Sequence, residues 1–445
     1  MTALLAGSAV VDISPNKSLH LCGYPIVERN STGIHDPLLS SALYLDDGAT
    51  RVLFIANDII FVPKGMVQRA RRRLAEQTGL SPAHILIAAT HTHSGPLTVD
   101  RPYRGPSSPP PDAAYVAQLE EGIVQAGLAA CRSARPAEAG LAVADGSAVG
   151  TNRRDPRGAS NPRVPVLSVR EAATRAPLAL LAVCSMHPTV LHEDSTLVSA
   201  DFPGMARRHL QQQAVGPACP ILYFTGPAGN QSPRHVTRAN TFEEAERLGG
   251  LLGQSIEKAI GEIRYRCDWK LDVRGAGVEL PRRSFMPAPE AEALERAALD
   301  RLETMRRDGS PRGAVRTAEC DWFGATRRAN LARFAAAGRL EEAAAQLMPA
   351  EIQVIRLGPW AFVAWPGELF VEFALAVIRA HSQAFPIAYA NGETDGYLVT
   401  AEAAAEGGYE AAGGIFSSPE SGERLVSRTL DLLASMKSAT PTETE

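Results

Sequence analysis

Short apolar runs alternate with amphipathic stretches along this chain. Ser41-Ala42-Leu43-Tyr44-Leu45 and Arg51-Val52-Leu53-Phe54-Ile55-Ala56 flank Asp46-Asp47-Gly48, which predicts a hairpin. Between Pro63 and Gln77, Met66, Ala70 and Leu74 recur at helical spacing among Arg69, Arg71, Arg72 and Arg73, which predicts an amphipathic helix. Pro82 precedes His84-Ile85-Leu86-Ile87-Ala88, which reads as a buried strand. Residues 101–111 are rich in Pro, Ser and Gly and read as a loop over the strand exits, with a helix following to about Cys131. Three strand-like runs come next, at Leu141–Ala144, Val164–Val169 and Leu178–Cys184. Pro165 predicts that the second is an edge strand or starts there. Ile221–Phe224 reads as another buried strand, and Phe242–Ile260 as a helix.

From Pro287 to Leu347 the composition shifts to Ala, Glu, Arg and Leu, interrupted at 308–313. This predicts two or three helices packed outside the main body, read either as an insert without chemistry or as a lid over a substrate. Strands are expected at Glu351–Leu357 and Ala361–Trp365, joined by Gly358-Pro359. A helix at Val371–His381 and a last internal strand at Ile387–Ala390 follow. The polar stretch 437–445 reads as a frayed tail. Alternating strands and helices argue for an α/β fold, expected here as one domain over 1–436. Neither an internal repeat nor a glycine-rich phosphate or dinucleotide loop is found.

Composition narrows the function classes. The chain has 445 residues, 45 basic and 49 acidic side chains and a net charge of -4, so no general attraction to nucleic acid is expected. Six cysteines, at 22, 131, 184, 219, 267 and 320, form no CxxC pair, and Cys184 reads as an inert buried thiol. No apolar run approaches the ~20 residues of a membrane span. The Met1–Val11 stretch lacks a basic n-region, so the expectation is a cytoplasmic protein without a signal peptide. A homo-oligomer is left open.

Candidate chemistry collects where apolar runs stop. Ala89-Thr90-His91-Thr92-His93-Ser94-Gly95-Pro96 places two of only ten histidines at one strand exit. Ser185-Met186-His187-Pro188, Asn230-Gln231-Ser232-Pro233, Pro366-Gly367-Glu368 and the 389–397 stretch occupy comparable positions. Such exits bind ligands in open α/β sheets. Two imidazoles and a carboxylate suit zinc, with a position left for water. On the residues alone the competing reading of His91 and His93 is hydrogen bonding that shapes a loop, and that of Glu368 is helix N-terminal capping.

Taken together and in order, these blocks resemble the neutral and alkaline ceramidase family, specifically its N-terminal catalytic domain. The resemblance rests on the 89–96 block, Leu197-Val198-Ser199-Ala200-Asp201, Gly229-Asn230-Gln231-Ser232-Pro233, Pro366-Gly367-Glu368, Gly396-Tyr397-Leu398-Val399-Thr400 and Tyr409-Glu410-Ala411-Ala412. It implies mixed sheets with surrounding helices, here without the C-terminal immunoglobulin-like domain of ceramidases. It also implies a zinc amidase in which metal-bound water attacks an amide. The implied zinc ligands are His91, His187, Glu368 and Tyr397. The implied catalytic residues are His93, Arg153 and Tyr397, and the implied substrate-binding residues His93, Arg153 and Ser232. The expected substrate is a small-molecule or lipid amide, including N-acyl sphingoids. A zinc hydrolase of a small ester, lactone or cyclic amide is the alternative, and a non-catalytic binding protein on the same scaffold is a further one.

Overall fold

The computed structural model describes residues 4–24, 27–101 and 109–436. Most of the expected 101–111 loop and the expected frayed tail at 437–445 lie outside the described residues. Two sheets stacked face to face carry the fold. The larger has the spatial order Ile221–Thr225, Pro177–Cys184, Arg163–Glu171, Arg135–Asp145, Leu5–Asp12, Leu39–Asp46, Arg51–Asn57, Ile85–Ala89. Its middle is antiparallel and its outermost pair at each edge is parallel. The smaller consists of Leu271–Val278, Ala350–Leu357, Trp360–Ala364 and Ala384–Ile387.

Both faces of the larger sheet are covered, which is why its strands read as continuous apolar runs. In Arg51–Asn57, Leu53 and Ile55 join Met66, Leu74, Leu119 and Ile123 under the helices Lys64–Thr78 and Ala113–Arg132. Alternate residues Val52 and Phe54 turn the other way, to Ile355, Phe362 and Phe385 of the smaller sheet. Helices Asp201–Leu210 and Phe242–Ile260 cover the opposite end of the same face as the first two helices. Helices Val371–Ala380 and Pro419–Ser435 close the outer face of the smaller sheet. Each large side chain so buried contributes roughly 1.5–3 kcal/mol. The result is a mixed α/β fold with surrounding helices. Among the described residues, no helix is long and apolar enough to cross a membrane.

Two expectations are corrected. The Arg163–Glu171 strand is interior, not an edge. Pro165 pairs with Val143 on one side, and the ladder to Pro177–Cys184 begins only at Val166, so the proline sits at that ladder's end. The last internal strand is Ala384–Ile387, and the chain leaves extended geometry just beyond it, with Tyr389 at φ 54° and Asn391 at φ 60°.

That departure brings the strand exits together. Thr225 Oγ1 donates to the Thr90 carbonyl across the two edges of the larger sheet (2.6 Å). The segment after Ile387 runs between them, with Ala388 N–H donating to Thr225 O and Ala89 N–H donating to Tyr389 O. Tyr389 N–H donates to Gly367 O, which adds the exit of Trp360–Ala364 to the same cluster. Gly367 takes φ 87° there and has no room for a Cβ against Thr394, so both its conformation and its size are required.

Candidate metal centre

His91 sits two residues past Ala89, the end of its strand, in a left-handed conformation at φ 65°. Such backbone strain in a non-glycine residue persists only when its surroundings over-determine it. Here the Ile59 carbonyl accepts from His91 N–H (2.9 Å), and the Ile60 carbonyl accepts from His91 Nδ1 (2.8 Å). The Tyr389 ring stacks on the imidazole at 3.9 Å and 16°, and Phe61 meets it edge-on at 5.0 Å. His187 is held in the same way. Its Nδ1 donates to the carbonyls of Ala228 (2.6 Å) and Gln231 (3.1 Å). A carbonyl can only accept, so both rings carry their proton on Nδ1 and present the Nε2 lone pair inward, as metal-ligating histidines do.

Glu368 faces those two lone pairs. Its Oε2 lies 3.5 Å from His91 Nε2 and 3.5 Å from His187 Nε2. All three side chains are less than one-tenth exposed. Two ligands bound ~2.0–2.1 Å from a tetrahedral ion sit roughly 3.3–3.4 Å apart, so this spacing matches an ion between them better than direct hydrogen bonds. His187 Nε2 and Glu368 Oε2 are otherwise buried without a hydrogen-bond partner. His93 stands beside the group with Nε2 3.3 Å from His91 Nε2, and the three histidines alone could also hold a metal ion. The donor set and its geometry therefore fit zinc.

Glu368 and Tyr397 belong to the two-residue strands Glu368–Leu369 and Tyr397–Leu398, which pair in parallel. The Arg153 guanidinium lies over the Tyr397 ring at 5.3 Å. It is anchored by Glu410 Oε1 (2.8 Å) and the Gly229 carbonyl (2.7 Å). Burial and the neighbouring His91 and His187 hold His93 well below the usual imidazole range. Burial, with Arg153, pushes His187 down to about 4. Burial acts to raise the Glu368 carboxyl, but His91 and the His187 contact win and hold it well below the usual carboxylate range. Burial and Glu368 push the Tyr397 phenol up, with Arg153 opposing.

The structure thus gathers His91, His93, His187, Glu368, Tyr397 and Arg153 around one point. Ser232 lies in the Gln231–Ser232 strand beside Thr151–Asn152, and its hydroxyl caps its own turn by accepting from Arg234 N–H. Glu368 does not cap the following helix. That role falls to Asn230, whose Oδ1 accepts from Val371 N–H (3.0 Å) while its Nδ2 donates to Glu372. The cap matters to the site because Asn230 lies between the two carbonyls that orient His187. In the sequence Asn230 and Tyr389 stand at strand exits with no evident task. An aromatic or amide side chain there is visible in sequence, and the neighbour it meets is not.

The expected helices after residue 287 are Ala288–Arg307, Arg312–Ala336 and Leu340–Leu347. They do not stand clear of the chemistry. A Cβ at Gly324 would fall 2.9 Å from Ala412 Cβ, and Arg327 Nη2 lies 3.3 Å from Asp395 Oδ1, two residues before Tyr397.

Residues 4–220, which include His91, His93, Arg153 and His187, match the family described as neutral/alkaline non-lysosomal ceramidase, N-terminal. A neutral ceramidase from Mycobacterium tuberculosis (strain ATCC 25618 / H37Rv) is 27% identical over 243 residues. The match covers 48% of this chain and 36% of that relative, so the chain spans about a third of the curated protein's length. The crystal structure of neutral ceramidase from Pseudomonas aeruginosa superposes with a TM-score of 0.75 at 19% identity, covering 100% of this chain and 76% of that one. A ceramidase complexed with C2 gives 0.75 at 18% identity, with 100% and 77% covered. The chain matches the neutral/alkaline ceramidase family, in sequence over residues 4–220 and in fold along its whole length.

Proposed function

We propose that this protein is a zinc-dependent hydrolase that cleaves the amide bond of an N-acyl substrate. The observation that carries the reading is the position of Glu368 Oε2, equidistant from two Nε2 atoms whose rings are turned inward by backbone carbonyls. His91, His187 and Glu368 would hold the ion, with Tyr397 as the fourth protein ligand. Zinc there supplies Lewis acidity, lowering the pKa of a water and polarising the scissile carbonyl.

The remaining residues act on the substrate. Arg153, fixed by Glu410 and Gly229, would orient the amide beside Tyr397. His93 stands beside the ligands with Nε2 3.3 Å from His91 Nε2, where it would take up a proton and pass it on. In the reaction a C–O bond forms to the oxygen of water, the amide C–N bond breaks, and one proton of that water ends on the leaving amine. The low exposure of every candidate ligand excludes bulk water, which strengthens each electrostatic contact.

The test is metal content together with turnover. Purified protein should hold about one zinc per chain and hydrolyse N-acyl amines, with His187→Ala as the blank. Absence of bound zinc after loading, or no hydrolysis of short- or long-chain N-acyl amines by zinc-loaded protein, would overturn it.

A further inference from the structure

We propose that Arg29 is the positioning residue for His93. This deepens the hydrolase reading above, in which His93 moves a proton, and rests on it. The three histidines of the centre are held in two different ways. His91 and His187 each have Nδ1 anchored on a backbone carbonyl. His93 has no such anchor among the described residues, and its Nδ1 is buried without a hydrogen-bond partner. Its ring therefore takes its direction from its main chain and from the walls beside it. One wall is Gly23, at φ 116°, where a Cβ would fall 2.6 Å from His93 Cβ, Cγ and Nδ1. The other is the Tyr24 ring, edge-on at 5.4 Å.

Arg29 braces His93 and both walls at once. It is 2% exposed, and its guanidinium donates to four main-chain carbonyls and, among the described residues, to no carboxylate. Nη2 donates to the His93 carbonyl and to that of Cys22 (2.9 Å), the residue before Gly23. Nη1 donates to the carbonyls of Ser195 (3.0 Å) and His192 (3.1 Å). The same guanidinium lies over the Tyr24 ring at 5.0 Å, and Tyr24 Oη donates to the Leu191 carbonyl (2.5 Å). Arg29 is itself tied down, because its carbonyl accepts from Leu21 N–H (2.7 Å). Cys22 N–H in turn donates to the Gly95 carbonyl (2.9 Å), which closes the frame two residues past His93. A buried cation is costly unless its donors are satisfied, and here every Nη bond goes to the backbone around one ring. Lysine could not bridge four carbonyls, since its ammonium has three donors and no fixed fork. None of these contacts involves His91, His187 or Glu368, so Arg29 acts on His93 and not on the ion's ligands.

The experiment combines Arg29→Gln with His93→Ala, singly and together, on zinc-loaded protein and its best-cleaved N-acyl amine. Arg29→Gln should keep its zinc and lower kcat by ~10-fold or more with little change in KM, as expected when a reacting group is misplaced. In the His93→Ala background the same substitution should lower kcat no further, because the ring it positions is gone. Arg29→Lys keeps the charge and some of the donors and should recover part of the loss; it carries the same comparison if Arg29→Gln does not fold. A second readout needs neither metal nor turnover. In metal-free protein with isotope-labelled histidine, the ring signals of His93, assigned by their loss in His93→Ala, should shift or broaden in Arg29→Gln. Those of His91 and His187 should stay in place. An equal loss of kcat in the wild-type and His93→Ala backgrounds, loss of zinc, or equal movement of all three rings would make Arg29 a general structural clamp and overturn the proposal. If no N-acyl amine is cleaved, the hydrolase reading fails, and an unmoved His93 ring overturns the positioning role separately.

Discussion

Glu368 and Tyr397 are direct partners in a parallel two-residue ladder, so backbone pairing, and not side-chain packing alone, sets the acid and the phenol side by side. The next pair, Leu369 and Leu398, is fully buried, and Phe370 N–H donates to the Leu398 carbonyl behind it. Replacing the carboxylate should therefore leave the ladder in place. Glu368→Gln is expected to fold normally and to lose zinc affinity by at least ~100-fold, more than is typical for loss of an outer-shell partner. Zinc titration against a competing chelator, with circular dichroism as the fold control, measures both.

His91→Ala and His187→Ala should each abolish stoichiometric zinc. His93→Ala should keep the metal and reduce turnover by roughly 100-fold or more, the scale of a lost general acid or base. Zinc content and kcat measured on the same preparations separate the two roles. Loss of metal in His93→Ala would instead make the three-histidine set the binding site.

Asn230→Ala removes the acceptor of the buried Val371 N–H and the donor facing Glu372. The expected loss is roughly 1–3 kcal/mol, from a missing cap and an orphaned donor. Because Ala228 and Gln231 of the same loop orient His187, zinc affinity should fall together with the melting temperature. Unchanged zinc affinity in a destabilised variant would show that the cap and the ligand are independent.

Asp201 predicts the pH dependence of stability away from the metal centre. Burial pushes its carboxyl up to about 6 from 3.8, although the N–H groups of Leu191, Phe202 and Val190 oppose this. The folded chain thus binds this proton more tightly than the unfolded chain. The stabilisation is complete below the unfolded value and is lost as pH rises through about 6. The change amounts to roughly 3 kcal/mol. Asp201→Asn suits the left-handed backbone at φ 59° and should flatten melting temperature against pH between those limits. A variant retaining the wild-type slope would exclude Asp201 as its source.

Much of the scaffold was legible because burial on both faces of a sheet writes continuous apolar runs, and amphipathic helices such as Phe242–Ile260 write a 3.6-residue period. His91, His187 and Glu368 stood out as polar residues ending such runs. Their convergence did not, because it depends on Thr225 meeting Thr90 across two sheet edges far apart in sequence. The helix Asp201–Leu210 carries Pro203 and Gly204, which lower local propensity, and packing of Phe202, Met205 and Leu210 overrides it. The helices after residue 287 were visible as helices. Which way they lean is set by single contacts, Gly324 on Ala412 and Arg327 on Asp395, and no periodicity records these.

Between Tyr389 and Gly396, five residues hold positive φ: Tyr389, Asn391, Gly392, Asp395 and Gly396. A segment built this way has no regular structure to relax into, and Tyr389 within it is stacked on the His91 ring. The chain's own hydrogen bonds and the Tyr389–His91 stack thus hold the backbone around the pocket. Small zinc modules, by contrast, fold around their metal. In this protein loading would be simple ligand binding: a chelator would silence the site while leaving the architecture standing, and returned zinc would find its seat without refolding.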